Sequence, residues 1–362
     1  MKRWGIFAVM SCVVMATATP AFAVKATPLP TPGPRPITAI SYIAVNLTDD
    51  GSVLLGQNVH KHMAPASLTK IVTALVVRDQ YKLDDVVTVS PLVKEVTGSE
   101  SGIKPGMKFT VLQLLYQLLL PSANDAAMAL AAYHPAGYEH FIQLMNEKAR
   151  SLGAFDSQFR TPHGLDTPGH YSSAWDLAIF ARALLADPVL AAIVNTRHYS
   201  LPWPGGPPLQ LVNHNHLLQS NKSVFGVKTG FTNLAGNSLV CAAHTSVGDI
   251  LTVVMHSNAM YTDTESLWAH GKAITLGAES GGGAITGAAV LPLPPRAPVE
   301  ALPSVPQVAA NDPRDDVRWG VLMIALAVLT IATATARRRR DPLREAVDVH
   351  GWIEPLPAPK RS

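Results

Sequence analysis

Between residues 37 and 279 the pattern of apolar and polar positions changes twice. It begins as short blocks rich in β-branched residues, separated by turn residues. Ser41 to Leu47 reads as a strand, Asp49-Asp50-Gly51 as a turn, and Val53 to Leu55 as a returning strand. Helical spacing then takes over. Ile71 to Val77 is apolar or nearly so on every face, which marks a buried helix. Val86 to Val89 has the composition of a short strand. Thr110 to Leu120 carries a strong apolar face until Pro121 stops it, and a second helix starts near Asn124. Tyr138 to Leu152 is amphipathic and ends at Gly153. Ser173-Ala174-Trp175-Asp176 has the spacing of a capping box, without the preferred Glu or Gln, and opens a helix to about Leu185. From Arg197 strand composition returns, in Val224 to Lys228, Asn237 to Ala243 and Leu251 to Met255. A helix over Tyr261 to Leu276 closes the region. Strands at both ends with helices between them predict one sheet completed by both ends of the region, with a helical lobe inserted.

The flanks follow different rules. Met1-Lys2-Arg3, an apolar stretch from Trp4 to Thr19, and Ala21-Phe22-Ala23 form a secretory signal peptide over residues 1–23. Prolines at 28, 30, 32, 34 and 36 make residues 24–36 a stiff spacer. Residues 280–316 are rich in Pro, Gly and Ala, a linker composition from which no second folded β-domain is expected. Within residues 317–336, Trp319 to Ala336 is an uncharged apolar run, and four arginines follow it at 337–340. As a helix this run spans roughly 27 Å, enough for a bilayer core. The arginines are expected to stay cytoplasmic with the tail over 337–362. The expected layout is an extracytoplasmic domain over 37–279, anchored in the plasma membrane by one helix.

Composition removes other classes. A net charge of +3 with 15% charged residues is too mild for a nucleic-acid partner, and no basic stripe interrupts the middle of the chain. Cys12 lies in the leader, so Cys241 alone remains and no disulfide framework is expected. His60 with His62, and His214 with His216, invite a zinc reading. They lack a third ligand at metal-like spacing, so neither a metal nor another cofactor is expected.

The candidate chemistry lies at the head of the buried helix. Ser67 and Lys70 are three apart, one turn from each other on one side. About one or two Ser-x-x-Lys matches arise by chance in such a chain, and Ser101-Gly102-Ile103-Lys104 is a second one. That copy runs into Pro105-Gly106, a turn signal. Ser67 needs a base, and Lys70 serves only when neutral, which burial and a second nearby cation both favour. Two downstream stretches supply partners. Ser122-Ala123-Asn124 follows Pro121 at a helix start, and Lys228-Thr229-Gly230 ends a strand. A lone Lys-Thr-Gly arises by chance in roughly one chain in ten of this length. The ordered set of three is a far stronger signal.

That set resembles the penicillin-binding-protein and serine β-lactamase superfamily. Pro65 to Leu75, Thr161 to Leu165, Ser173 to Leu177, Asn215 to Leu218 and Gly226 to Gly236 narrow it to the D-alanyl-D-alanine carboxypeptidases, over about residues 40–276. The resemblance implies an α/β (α+β) fold, an antiparallel sheet flanked by helices, with the site between sheet and helical lobe. It implies that Ser67 attacks the D-Ala-D-Ala carbonyl of a peptidoglycan stem peptide, limiting wall crosslinking, and that Lys70 takes its proton. Ser122 would relay a proton to the departing D-alanine, and Asn124 would hold Lys70 and the substrate amide. Lys228 and Thr229, leading into Gly230, would bind the terminal carboxylate, with Lys228 also keeping Lys70 neutral. The backbone N–H groups of Ser67 and Phe231 would form the oxyanion hole. β-Lactam antibiotics are the implied inhibitors.

Two alternatives remain beside this one. A serine β-lactamase of class A uses a glutamate to activate the deacylating water. Glu139 and Glu147 both lack the Glu-x-x-Leu-Asn pattern of those enzymes. A catalytically silent penicillin sensor needs an intracellular output domain, and only 22 residues follow the arginines.

Overall fold

A computed structural model of the chain describes residues 35–49 and 51–277. The expected leader, most of the spacer, the linker, the spanning helix and the tail lie outside the described residues.

Strands β1 (Ser41–Asn46) and β2 (Val53–Gln57) form the first hairpin. All six residues of β1 are buried, because it lies between β2 and a strand from the far end of the fold. A 3-10 turn, Ala66–Thr69, leads into α1 (Lys70–Gln80). Lys70 through Val77 are all buried. Ile, Thr and Val are weak helix formers, costing up to about 0.7 kcal/mol each. Burying each Ile, Val or Leu returns about 1.5–3 kcal/mol, so tertiary packing decides the conformation.

Strands β3 (Val86–Thr88) and β4 (Lys108–Thr110) pair as a small ribbon. Helix α2 (Val111–Leu119) follows directly, closed by a reciprocal cap. The Gln113 N–H donates to Thr110 Oγ1 at 3.2 Å and the Thr110 N–H to Gln113 Oε1 at 2.9 Å. Next come α3 (Asn124–Ala132), α4 (Tyr138–Ser151), α5 (Ala174–Ala186) and α6 (Pro188–Val194). Ser173 caps α5 by accepting the Asp176 N–H at 3.1 Å. A hairpin of β5 (His198–Leu201) and β6 (Leu209–Val212) and a short α7 (His216–Ser220) lead to the last three strands. These are β7 (Val224–Gly230), β8 (Asn237–Thr245) and β9 (Gly248–Ser257), and α8 (Met260–Thr275) ends the fold.

The main sheet is antiparallel, in the order β2-β1-β9-β8-β7. It is completed by both ends of the region, as the sequence predicts. Strand residues alternate between its two faces. Tyr42, Ala44, Leu239, Cys241 and Val254 pack with Leu267 and Trp268 of α8 on one face. Helix α5 covers the other face, with α1 packed against it and against α2 and α4 of the helical lobe. β7 is the edge strand beside the turn that carries Ser67. Among the described residues no single helix is long and apolar enough to cross a membrane.

Candidate active site

Ser67 sits in the 3-10 turn, not in the α-helix proper, and stays partly exposed while its neighbours are buried. Two glycines let the chain close around this turn. A Cβ on Gly164 would fall inside the Ala66 carbonyl group. A Cβ on Gly230 would lie 3.2 Å from the Pro65 carbonyl oxygen and 3.3 Å from Ala66 Cβ. Segment 161–170 therefore presses on the turn from one side and the end of β7 from the other.

Lys70 is fully buried, at 0% exposure. Its Nζ lies 2.9 Å from Ser67 Oγ, 2.7 Å from Asn124 Oδ1 and 2.9 Å from the His163 backbone oxygen. Burial holds its pKa well below the usual lysine range; the Lys228 charge lowers it further, while Asp125 opposes. An ammonium group could donate all three bonds. A neutral amine has two N–H groups and one lone pair. The two carbonyl-type oxygens take the two N–H groups, and the lone pair is left facing the Ser67 hydroxyl. The arrangement can accept the serine proton without moving a side chain.

Asn124 cannot turn its amide round. Its Nδ2 donates to the Thr97 backbone oxygen at 2.6 Å, and its own N–H donates to the Ser99 oxygen at 2.7 Å. Asp125 holds the same loop by accepting the N–H groups of Ser101, Gly102 and Ile103 at 2.9–3.1 Å. Ser101 and Lys104, the second copy of the motif, lie here outside any helix.

Ser122 has φ +64°, uncommon for a residue with a side chain. Its hydroxyl is buried and has no hydrogen-bond partner within the protein. Such an orphan held in a strained backbone points to a role with substrate.

Lys228 is 2% exposed, and burial pushes it down to about 7. Its Nζ donates to the Thr229 backbone oxygen at 2.9 Å, and Thr229 itself stays partly exposed. Asn215 braces this strand from below, donating to the Gly226 oxygen at 3.0 Å while capping α7. Phe231 follows Gly230 and is 62% exposed.

The structure thus brings Ser67, Lys70 and Asn124 into direct contact and sets Gly230 against the Ser67 turn. Lys228 is near enough for its charge to lower the Lys70 pKa further. Three further contributors are given no role by the sequence, although His163 and Gly164 fall within the Thr161 to Leu165 stretch. The His163 and Thr97 carbonyls act through the backbone, and Gly164 acts by having no side chain. The His163 ring accepts the Leu165 N–H at 3.2 Å, and burial first, then Lys70, pushes it down to about 3. His170 accepts the Arg160 N–H on Nδ1 at 3.0 Å, which leaves Nε2–H to donate to Thr69 Oγ1 at 2.9 Å. His60 and His62 both lie against Asp156, at 2.7 and 3.6 Å. No cluster of three or more His, Cys, Asp or Glu side chains among the described residues is arranged to hold a metal.

Comparison with known proteins identifies the family. The family model described as D-alanyl-D-alanine carboxypeptidase matches residues 27–259. The D-alanyl-D-alanine carboxypeptidase DacF of Bacillus subtilis is 36% identical over 200 residues, 54% of this chain and 51% of its own length. DacD of Escherichia coli is 35% identical over 243 residues, 63% of this chain and 61% of its own. The chain thus spans about half to three-fifths of these curated relatives. The crystal structure of a D-alanyl-D-alanine carboxypeptidase from Mycobacterium tuberculosis superposes with a TM-score of 0.62 at 34% identity, over 67% of this chain and 95% of that one. The Streptomyces K15 DD-transpeptidase gives 0.62 at 30% identity, over 66% and 98%. The chain belongs to the D-alanyl-D-alanine carboxypeptidase family, the Peptidase S11 group.

Proposed function

We propose that this protein is a serine-type D-Ala-D-Ala carboxypeptidase that removes the terminal D-alanine from peptidoglycan stem peptides. One observation carries the reading: a fully buried Lys70 amine whose Nζ lies 2.9 Å from Ser67 Oγ, with the Asn124 Oδ1 and His163 backbone oxygens at 2.7 and 2.9 Å. Ser67 Oγ attacks the penultimate carbonyl while its proton moves to Lys70 Nζ. The N–H groups of Ser67 and Phe231 bind the oxyanion. Collapse breaks the C–N bond, and the proton passes from Lys70 through the Ser122 hydroxyl to the departing amine. Water then attacks the Ser67 ester and releases the shortened peptide. The terminal carboxylate lies against Lys228 and the Thr229 hydroxyl, and Asn124 holds Lys70 and the substrate amide. A β-lactam enters by the same attack and remains as a slowly cleared ester.

The test is mass spectrometry of the soluble 37–279 fragment after penicillin, with D-alanine release measured on a peptide ending in D-Ala-D-Ala. One penicilloyl adduct is expected on the wild type and none on Ser67→Ala, with repeated D-alanine release. An adduct that persists in Ser67→Ala removes the assignment of the nucleophile. An adduct without D-alanine release favours a silent sensor, and rapid clearance with β-lactam turnover favours a β-lactamase.

The location follows from the flanking sequences. Residues 1–23 export the chain, residues 317–336 anchor it in the plasma membrane, and the catalytic region faces the wall with the arginine-led tail inside. A reporter fluorescent only in the cytoplasm should be bright when fused after Ser362, while external protease should remove the catalytic region from spheroplasts. A dark reporter with a protected catalytic region refutes this topology.

A further inference from the structure

Segment 161–170 grips the Ser67 turn and the start of α1 through several bonds. Thr73 Oγ1 donates to the Pro162 oxygen at 2.7 Å, Lys70 Nζ to the His163 oxygen at 2.9 Å, and His170 to Thr69 Oγ1 at 2.9 Å. The same ten residues also reach the opposite wall. Thr232 Oγ1 donates to Asp166 Oδ1 at 2.6 Å, and the Leu234 N–H donates to Asp166 Oδ2 at 3.4 Å. Thr232 in turn organises its loop. Its hydroxyl accepts the Ala235 N–H and its carbonyl the Gly236 N–H, both at 3.0 Å.

The loop so held begins at Phe231. The pairing of β7 with β8 ends at Gly230 opposite Ser238, so Phe231 is the first residue outside the ladder. The sheet therefore does not fix where its N–H points. Oxyanion stabilisation demands that a donor sit within a few tenths of an ångström of its place before the reaction starts. Asp166 and Thr232 are 66 residues apart in sequence, and their bond joins the segment that holds Lys70 to the residue beside Phe231.

We propose that Asp166 is a positioning residue for acylation: its bonds to Thr232 and Leu234 set the Phe231 N–H against the Ser67 turn. The inference rests on the acyl-enzyme reading above. Asp166 touches no reacting atom. Both its oxygens are engaged by the loop, so it works as an acceptor that fixes geometry. Its charge is dispensable for this purpose, which separates positioning from a field effect on the site.

The experiment uses the full chain in detergent and two readouts. The first is the rate constant of acylation by a fluorescent penicillin, separated from the dissociation constant of the preceding complex. Loss of an oxyanion donor outright costs 10²–10³-fold, and displacing one should cost about ten-fold. Asp166→Ala and Thr232→Val should each lower the acylation rate constant about ten-fold with little change in the dissociation constant. Their combination should be no worse than either alone, and Asp166→Asn, which keeps an acceptor for Thr232, should recover most of the rate. The second readout is amide exchange over residues 231–236, which should quicken in Asp166→Ala and Thr232→Val and return towards wild type in Asp166→Asn. Wild-type acylation in Asp166→Ala overturns the proposal. So does an Asp166→Asn variant as slow as Asp166→Ala, or a loss confined to the dissociation constant. If the wild-type chain takes no penicillin, the acyl-enzyme reading fails, and unchanged exchange in Asp166→Ala then overturns the strap by itself.

Discussion

Replacing His170 with glutamine should remove a definite amount of acid sensitivity from the fold. His170 is 7% exposed, and burial above all, with Arg160 adding and Asp166 opposing, pushes it from 6.5 down to about 4. As pH falls, the unfolded ring takes up its proton first, so stability is fully present above 6.5 and is lost between 6.5 and about 4. At about pH 5 the unfolded ring is about 97% protonated and the folded one about 9%, and integrating from about pH 7.5 gives a loss of about 2 kcal/mol. This figure hardly depends on the folded value once that lies well below 5. Protonation would put a proton on Nδ1 against the Arg160 N–H, which now donates to it at 3.0 Å. It would thereby loosen the hold of segment 161–170 on Thr69. Glutamine can keep the donor to Thr69 and loses the acceptor for Arg160, so a cost of about 1–3 kcal/mol at every pH is expected. The diagnostic quantity is the slope. Urea unfolding of the 37–279 fragment at about pH 7.5 and 5 should show a drop about 2 kcal/mol smaller in His170→Gln than in the wild type. Equal drops in the two proteins would refute the reasoning, whatever their absolute stabilities.

Other perturbations follow from the same arrangement. Asp176, whose carboxyl burial pushes from 3.8 up to about 6 against the Ser157 hydrogen bond, stabilises the fold as pH falls through that window. Asp176→Asn removes this gain, so its stability should drop about 1 kcal/mol further than the wild type between about pH 7.5 and 5, and parallel unfolding curves would contradict the shift. Removing the Lys228 charge makes Lys70 easier to protonate, so in Lys228→Ala the acid limb of the acylation rate should move to higher pH. The same variant should lose its preference for a free terminal acid over the corresponding amide. An unmoved limb together with retained preference would deny Lys228 both roles.

What the sequence displays and what it hides divide along physical lines. Candidate catalytic side chains at fixed spacing are visible. Ser67 with Lys70, Ser122 with Asn124, and Lys228 with Thr229 stand out because each pair lies within one turn or one strand step. The sheet is visible too, since β1, β7, β8 and β9 are apolar runs bounded by turn residues. The β5–β6 hairpin carries little strand signal, because its two strands have four residues each and Pro202, Pro204, Pro207 and Pro208 crowd the connection between them. Nor does α6 stand out, where Asp187-Pro188 ends one helix and caps the next at once. The 3-10 turn under Ser67 escaped as well. Ala66 has φ +48° and is closely approached by Gly164 and Gly230, neither of which is near it in sequence.

The hidden part is also what suits Lys70 to the proposed role of base. Nothing in Ser-x-x-Lys requires the lysine to be neutral. An exposed lysine at the same spacing would keep its proton and three water molecules. Here the Asn124 and His163 oxygens occupy two of the three directions around Nζ, and Ser67 occupies the third. Asn124 holds its pose because Thr97 accepts from its other end, and the His163 carbonyl holds its pose because Pro162 is tied to Thr73. These supports come from segments 27, 89 and 93 residues away from their partners. Backbone carbonyls leave no mark on a residue string, so the string names the candidate base while only the fold shows what surrounds its amine.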